Sequence, residues 1–272
     1  MRLRLAYDPV TDIGLTGSTG YIGSSLANSD LLRLKQVASL DELPPGCVVI
    51  HLAAAVAGQE RQTMLDNLAL DSSLIEWAES NGSYIVYASS NNVYANAIDC
   101  CEGDTPRVQD YYSASKIFGE TLGRAKLGRR FCALRIGDVF GAGQRHGRLF
   151  QAIEASIASK SPLVQLGEGL KLRSYIYIRE LVQQMLHAAD LVKRGAASEI
   201  YNVAHSDPLT VRQLLARISE LSALPIDRTP LAPDESHLDV RTMRINPLPC
   251  YVPSYSMDSA LEDYVTLIKG KP

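Results

Sequence analysis

Asp12-Ile13-Gly14-Leu15-Thr16-Gly17-Ser18-Thr19-Gly20-Tyr21-Ile22-Gly23 decides how the chain is organised. Asp12 to Thr16 has the apolar, β-branched character of a short strand, and Ser24 to Leu32 is compatible with a helix. Between them lie glycines at 17, 20 and 23. Glycine lets the backbone turn tightly and approach a pyrophosphate, and the helix behind it offers unpaired N–H groups. Strand, glycine turn and helix in that order are the context a dinucleotide fingerprint requires. Gly17, Ser18, Thr19, Gly20, Tyr21, Ile22 and Gly23 are therefore candidate cofactor-binding residues.

Outward from the turn, Gln36 to Leu40 reads as a second strand ending at Asp41, 18 positions past Gly23. An acidic residue at about that distance binds the ribose hydroxyls of NAD in this kind of fold. Asp41 and Glu42 could equally decorate a turn before Pro44-Pro45-Gly46, and both readings stay open. Cys47 to Ala55 is a continuous apolar run, as expected of a strand buried on both faces. Leu52, Ala53 and Ala54 at its end are small or apolar enough for a flat cofactor to lie against them, and His51 reads as a packed core histidine. A helix from about Glu60 to Ser80 follows, stopped by Asn81-Gly82. Ser83 to Ala88 is the next strand, opening into Ser89-Ser90-Asn91-Asn92-Val93-Tyr94, where hydroxyls sit at a strand's carboxyl end.

Tyr112-Ser113-Ala114-Ser115-Lys116 should be helical, since the pattern continues through Ile117, Phe118, Glu120 and Leu122. Residues four apart share a helix face. A phenol and an ammonium can then occupy one pocket, where the cation favours phenolate. Arg130 to Ile136 is a further strand. Beyond about Arg145 the alternation becomes irregular, with a strand at 174–178, a helix at 180–191, a strand at 200–203 and a helix at 210–221. The tail after Pro225 is proline-rich and weakly periodic.

Composition bounds the answer. The 272 residues carry a formal net charge of −3 without a basic block, so no nucleic-acid surface is expected. No apolar run approaches the roughly 20 residues that cross a bilayer, and the N-terminus lacks the apolar core of a signal peptide. Cys47, Cys100, Cys101, Cys132 and Cys250 show no C-x-x-C spacing, so reduced thiols, no metal site and a cytoplasmic location are expected.

Taken together these residues resemble the extended short-chain dehydrogenase/reductase family, in its NAD-dependent epimerase/dehydratase branch acting on nucleotide sugars. The likeness rests on Thr16-Gly17-x-x-Gly20-x-x-Gly23, His51-Leu52-Ala53-Ala54, Asn67 and Ser89-Ser90-x-x-Val93-Tyr94. It continues through Tyr112-x-x-x-Lys116, Leu134 to Gly141, Gly167-Glu168-Gly169, Arg173 to Ile178 and Ile200 to Val203. The resemblance implies an α/β, Rossmann-like doubly wound parallel sheet with a smaller C-terminal substrate-binding lobe. Residues 1–145 and about 173–204 would form the dinucleotide-binding domain, and about 146–172 and 205–272 the lobe. It also implies Tyr112 as acid/base, Lys116 as the group that grips the nicotinamide ribose and lowers the tyrosine's pKa, and Ser90 as the hydroxyl that polarises the sugar oxygen. Ser90, Asn91 and Arg173 would bind substrate. NAD is the implied cofactor, with NADP possible, and a homodimer through the helices at 60–80 and 110–128 is implied.

The departures narrow this. Only 27 residues separate Gly23 from His51, so one β-α unit is missing and cofactor selectivity is open. Dehydratases of the family place Asp and Glu at Asn91 and Asn92, and reductases that also epimerise place Cys at Asn92. Both activities are therefore disfavoured, leaving a C4 epimerase or a 4-keto reductase. A non-catalytic nucleotide sensor is the alternative from another class. Ala95 and Ile136, in place of a common glycine and proline, are expected to be tolerated. His146 is a spare acid/base candidate.

Overall fold

The computed structural model describes residues 4–55, 61–144, 147–196, 200–230 and 239–270. In chain order the first half is β1 (Leu5–Asp8), β2 (Ile13–Thr16), α1 (Tyr21–Ala27), β3 (Lys35–Val37), β4 (Val48–His51), α2 (Arg61–Ser80), β5 (Tyr84–Ser90), β6 (Ala97–Cys100) and α3 (Tyr111–Leu127). The middle comprises β7 (Phe131–Ile136), β8 (Asp138–Phe140), α4 (Arg148–Ser159), β9 (Leu163–Leu166), β10 (Leu172–Arg173), β11 (Tyr175–Tyr177) and α5 (Ile178–Lys193). Last come β12 (Ile200–Val203), β13 (Leu209–Thr210), α6 (Val211–Ser222), β14 (Ile226–Thr229), β15 (Val240–Met243) and α7 (Met257–Lys269).

The central sheet has seven strands in the order β12-β7-β5-β4-β2-β1-β3. From β12 to β2 every pairing is parallel, with Thr16 level with His51 and Ser90 level with Ile136. Apolar side chains leave both faces of these strands. Ile13, Leu15, Val48, Ile50 and Val86 pack toward α1 and α5, while Val49, Ile85, Tyr87 and Phe131 pack toward α2 and α3. Burial on both faces explains why these strands read as unbroken apolar runs. A third cluster joins Phe140 and Tyr177 to α4, α6 and α7.

The sheet departs from a purely parallel one at its edge. β1 runs antiparallel to β2, with Leu5 opposite Thr16, and β3 pairs outside it with Val37 opposite Leu5. A hairpin strand thus fills the place a β-α crossover would supply, which is how so few residues connect Gly23 to His51. The first helix begins at Tyr21 rather than Ser24 and ends at Ala27, because Gly20 is its N-cap and Asn28 its C-cap. β3 covers Lys35–Val37, shorter than the expected 36–40, and Asp41 lies instead in a 3-10 turn at Leu40–Glu42. The predicted start of α2 at Glu60 falls outside the described residues. Helices α4 and α7 were not expected; α7 is capped by the Ser256 hydroxyl, which accepts from the Ser259 N–H.

Candidate active site

Each backbone turn at the cleft has a local cause. After β2, Gly17 adopts φ +72 and donates its N–H to the Arg4 carbonyl at 3.0 Å; the Gly20 N–H then reaches the Gly17 carbonyl at 3.0 Å. The turn leaves no room for side chains. A Cβ on Gly17 would sit 2.7 Å from the Ala53 nitrogen, and one on Gly23 would sit 2.1 Å from the Gly17 oxygen. The Leu52 and Ala53 N–H groups both donate to the Thr16 hydroxyl at 3.2 Å, fastening the end of β4 beside the turn. Asn67 extends this frame by accepting from the Ala55 N–H at 2.7 Å and donating to the Ser115 hydroxyl at 3.2 Å. Gly17 to Gly23 with Leu52 to Ala54 therefore form a close, glycine-lined cradle that suits a dinucleotide pyrophosphate. Asp41 is exposed, in the 3-10 turn at Leu40–Glu42 that follows the edge strand β3.

Helix α3 delivers the tyrosine and lysine. Its N-cap Asp110 accepts from the Ser113 N–H at 2.6 Å, which sets the register of the first turn. Tyr112 and Lys116 share one face: the Lys116 ammonium stands 5.7 Å from the Tyr112 ring centroid and 4.7 Å from that of Tyr87. Ser90, at the end of β5, caps the next turn by accepting from the Asn92 N–H at 3.2 Å. Its hydroxyl also lies near enough to the Tyr112 phenol to favour the ionised form. Close approach of α3 to β5 depends on Gly119, where a Cβ would lie 2.3 Å from the Tyr87 hydroxyl. The structure thus brings Ser90, Tyr112 and Lys116 together beside the glycine cradle.

Protonation differs from the expectation. Burial pushes the Tyr112 phenol up to about 12, and the Ser90 hydroxyl only partly offsets it. Burial also pulls Lys116 down, against the charges of Asp71 and Glu120. A buried ammonium is itself costly, so in this state desolvation outweighs any help it gives the phenolate. Tyr112 is half-buried.

Two buried polar systems, neither visible in the sequence, support these groups. The Thr16 hydroxyl has both lone pairs occupied by amides, so it donates to His51 Nδ1 at 2.6 Å. His51 Nε2–H then donates to Asp71 at 2.9 Å, and the Tyr87 hydroxyl donates to the other Asp71 oxygen at 2.7 Å. His51 is accordingly a fully bonded core histidine. Alongside, the Glu120 carboxylate takes two bonds from Arg135, at 2.9 and 2.7 Å, and one from Ser89 at 2.5 Å.

At the mouth, Asn91 donates to Asp138 at 3.1 Å. Arg173 pairs with Asp138 at 3.3 Å and with Asp239, so it already has two carboxylates. In register beside it on β15, Arg241 donates to the Asn92 side-chain oxygen. Its buried Nε has no hydrogen-bond partner among the described residues, and burial together with Arg173 lowers its pKa. Arg241 was missed because nothing in its local sequence marks it. His146 lies outside the described residues. Among those residues no group of three His, Cys, Asp or Glu side chains could hold a metal, and no helix is long and apolar enough to cross a membrane.

Comparison with known proteins agrees with this architecture. Residues 30–204 match the model of the NAD dependent epimerase/dehydratase family. The chain belongs to that family, although the matched span begins after the glycine turn. It is 25% identical over 252 residues to a 3-beta-hydroxysteroid dehydrogenase of Mycolicibacterium neoaurum, covering 74% of this chain and 68% of the relative. Among solved structures it superposes on UDP-N-acetylglucosamine 4-epimerase from Bacillus cereus with a TM-score of 0.78, at 19% identity, over 94% of this chain and 98% of that one. RMD from Pseudomonas aeruginosa, complexed with NADPH, gives a TM-score of 0.74 at 17% identity, over 94% and 98%. These likenesses show the Rossmann-like fold of the epimerases and dehydratases.

Proposed function

We propose that this protein is an NAD(P)-dependent enzyme that moves hydride and a proton at one carbon of a nucleotide sugar, as a C4 epimerase or a 4-keto reductase. The convergence of Ser90, Tyr112 and Lys116 beside a glycine cradle supports the reading above all else. A nicotinamide dinucleotide, held by Gly17 to Gly23 and Leu52 to Ala54, would supply the hydride chemistry. The protein's own part is proton handling and placement. With its phenol raised, Tyr112 is neutral at working pH and can give its proton to a sugar oxygen as a carbonyl is reduced. In the oxidative direction the phenol must ionise, and Lys116 is the cation beside the developing charge. Ser90 steadies the same oxygen. Asn91 and Asn92 are amides and cannot remove a carbon-bound proton or protonate a leaving hydroxyl, which disfavours dehydration.

We read residues 146–172 and 205–272 as the substrate lobe, with Arg173 and Arg241 anchoring the diphosphate remote from the reacting carbon. We also read the protein as a cytoplasmic homodimer; the partly exposed Leu65 on α2 and Tyr111 on α3 would lie on the helices that pair. The raised phenol gives the alternative, a nucleotide-binding protein without turnover, one point in its favour.

The test is to incubate the protein with UDP-glucose, UDP-N-acetylglucosamine and a 4-keto nucleotide sugar, following reduced nicotinamide by absorbance and products by chromatography. Interconversion of the C4 epimers without net cofactor use identifies the epimerase, and steady consumption identifies the reductase. Turnover confined to a 3β-hydroxysteroid control would refute the nucleotide-sugar reading. Tyr112→Phe should lower turnover about 100-fold or more while leaving cofactor affinity within about twofold; unchanged turnover would refute the role given to Tyr112.

A further inference from the structure

The antiparallel edge strand changes what the cofactor cleft presents beside its glycine turn. In a doubly wound sheet the adenosine ribose lies outside the carboxyl end of the strand next to the glycine strand. Here that neighbour is β1, which runs the other way, so the residue reaching the carboxyl edge is the one preceding β1. That residue is Arg4, fixed opposite Gly17 by the 3.0 Å bond from the Gly17 N–H to its carbonyl. Leu5 next to it is buried, while Arg4 is exposed. Among the described residues its guanidinium has no ion pair or side-chain hydrogen bond.

The acidic residues that would favour an unmodified ribose are elsewhere. β3 is two strand spacings from β2, about 10 Å, and Asp41 lies in the 3-10 turn after β3, exposed to solvent. The Glu42 carboxylate already accepts the Ala38 and Ser39 N–H groups at 2.8 and 3.2 Å. The position beside the turn therefore carries a cation in place of a carboxylate. A guanidinium matches a phosphate with paired N–H donors, whereas it offers a ribose hydroxyl much less. Ser18 and Thr19, in the turn itself, add hydroxyls at the same edge.

We propose that Arg4 is a specificity-determining residue that selects the 2′-phosphorylated dinucleotide, NADP, over NAD. The proposal rests on the reading of the glycine cradle as a dinucleotide site and assigns that site's preference.

Calorimetric titration of the full chain with NADP+ and with NAD+ tests it without any need for the sugar substrate. At low salt NADP+ should bind about tenfold tighter or better, the scale of one hydrogen-bonded charge pair. Raising salt to about 0.5 M should shrink the preference, because the site is exposed. Arg4→Gln keeps the backbone carbonyl that holds Gly17 and should bring the two affinities to within about twofold by weakening NADP+ alone. Adenosine 2′,5′-bisphosphate should bind wild type more tightly than AMP does, and lose that advantage in Arg4→Gln. The proposal is overturned if NAD+ binds wild type as tightly as NADP+, or if Arg4→Gln leaves the ratio unchanged. It is equally overturned if Asp41→Asn, and not Arg4→Gln, sets the ratio. If neither dinucleotide binds, the cradle reading itself has failed, a result distinct from a wrong preference.

Discussion

Gly23 and Gly20 lie three residues apart in one turn, yet adding a methyl group to each should have very different effects. A Cβ on Gly23 would stand 2.1 Å from the Gly17 oxygen and 2.8 Å from its carbon, both backbone atoms. No rotamer can relieve that contact, so α1 and the turn must separate by about 1 Å, an overpacking cost of about 1–3 kcal/mol. For a chain of this size each kcal/mol is worth about 2–4 °C in Tm. The same displacement tilts the amides of the cradle, and losing one charge-assisted bond weakens a pyrophosphate ligand about 10- to 100-fold. Gly20 has φ −71 and ψ 171, which any residue adopts, and its added Cβ meets nothing nearer than the Gly17 oxygen at 3.3 Å. Gly20→Ala should therefore cost about 1 kcal/mol or less, through the poorer N-cap rather than a displaced backbone. Thermal denaturation and dinucleotide calorimetry on both variants decide the matter. Equal Tm values and equal affinities for the two would refute the close-approach argument.

Other consequences can be checked in the same way. Glu120→Gln leaves Arg135, 2% exposed, without its carboxylate, and should lower unfolding free energy by about 3–5 kcal/mol in urea titrations; a loss below about 1 kcal/mol would mean the pair is not buried as described. Ala95 has φ 60 and ψ −152, a region that disfavours any Cβ. Ala95→Gly should therefore raise Tm by about 2–4 °C, since the strain relieved exceeds the entropy glycine adds to the unfolded chain. Tyr7, Tyr94 and Tyr112 are each raised from 10.0 to about 12, mainly by burial. Groups raised in the folded state hold their full contribution below the unfolded pKa and lose it above. Stability followed by circular dichroism should accordingly be insensitive to these phenols up to about pH 9 and fall between pH 10 and 12.

Much of the sheet was legible because its signals are local. The apolar runs at β4, β5 and β7 announced strands buried on both faces, and Gly17, Gly20 and Gly23 announced the turn. The short interval before His51 correctly implied a missing β-α unit, but not its replacement: Leu5–Asp8 is four residues long and becomes a strand only by pairing with β2 and β3. Helix α7 could have been found from Ser256 as a cap and from Met257, Ala260, Leu261, Tyr264, Val265 and Ile268 at helical spacing; the prolines before it hid the pattern. Ala95 was expected to be tolerated, and the fold does accommodate it, in a backbone conformation suited to glycine. Within the site, Tyr112 and Lys116 share one face of α3, as a four-residue spacing dictates, and Ser90 ends β5. Asp71, Asp239 and Arg241 were invisible because each acquires its meaning from a partner far along the chain. The phenol's raised pKa depends on the crowding of α3 against β5, which no spacing rule reports.

The reversed edge strand has a practical side. Arg4, immediately before β1, stands beside Gly17, so an amino-terminal affinity tag is the one to test for competition with ligands for space and charge, a polyhistidine tract most of all at acidic pH. Binding constants for this protein are best measured with the tag at the other terminus or removed.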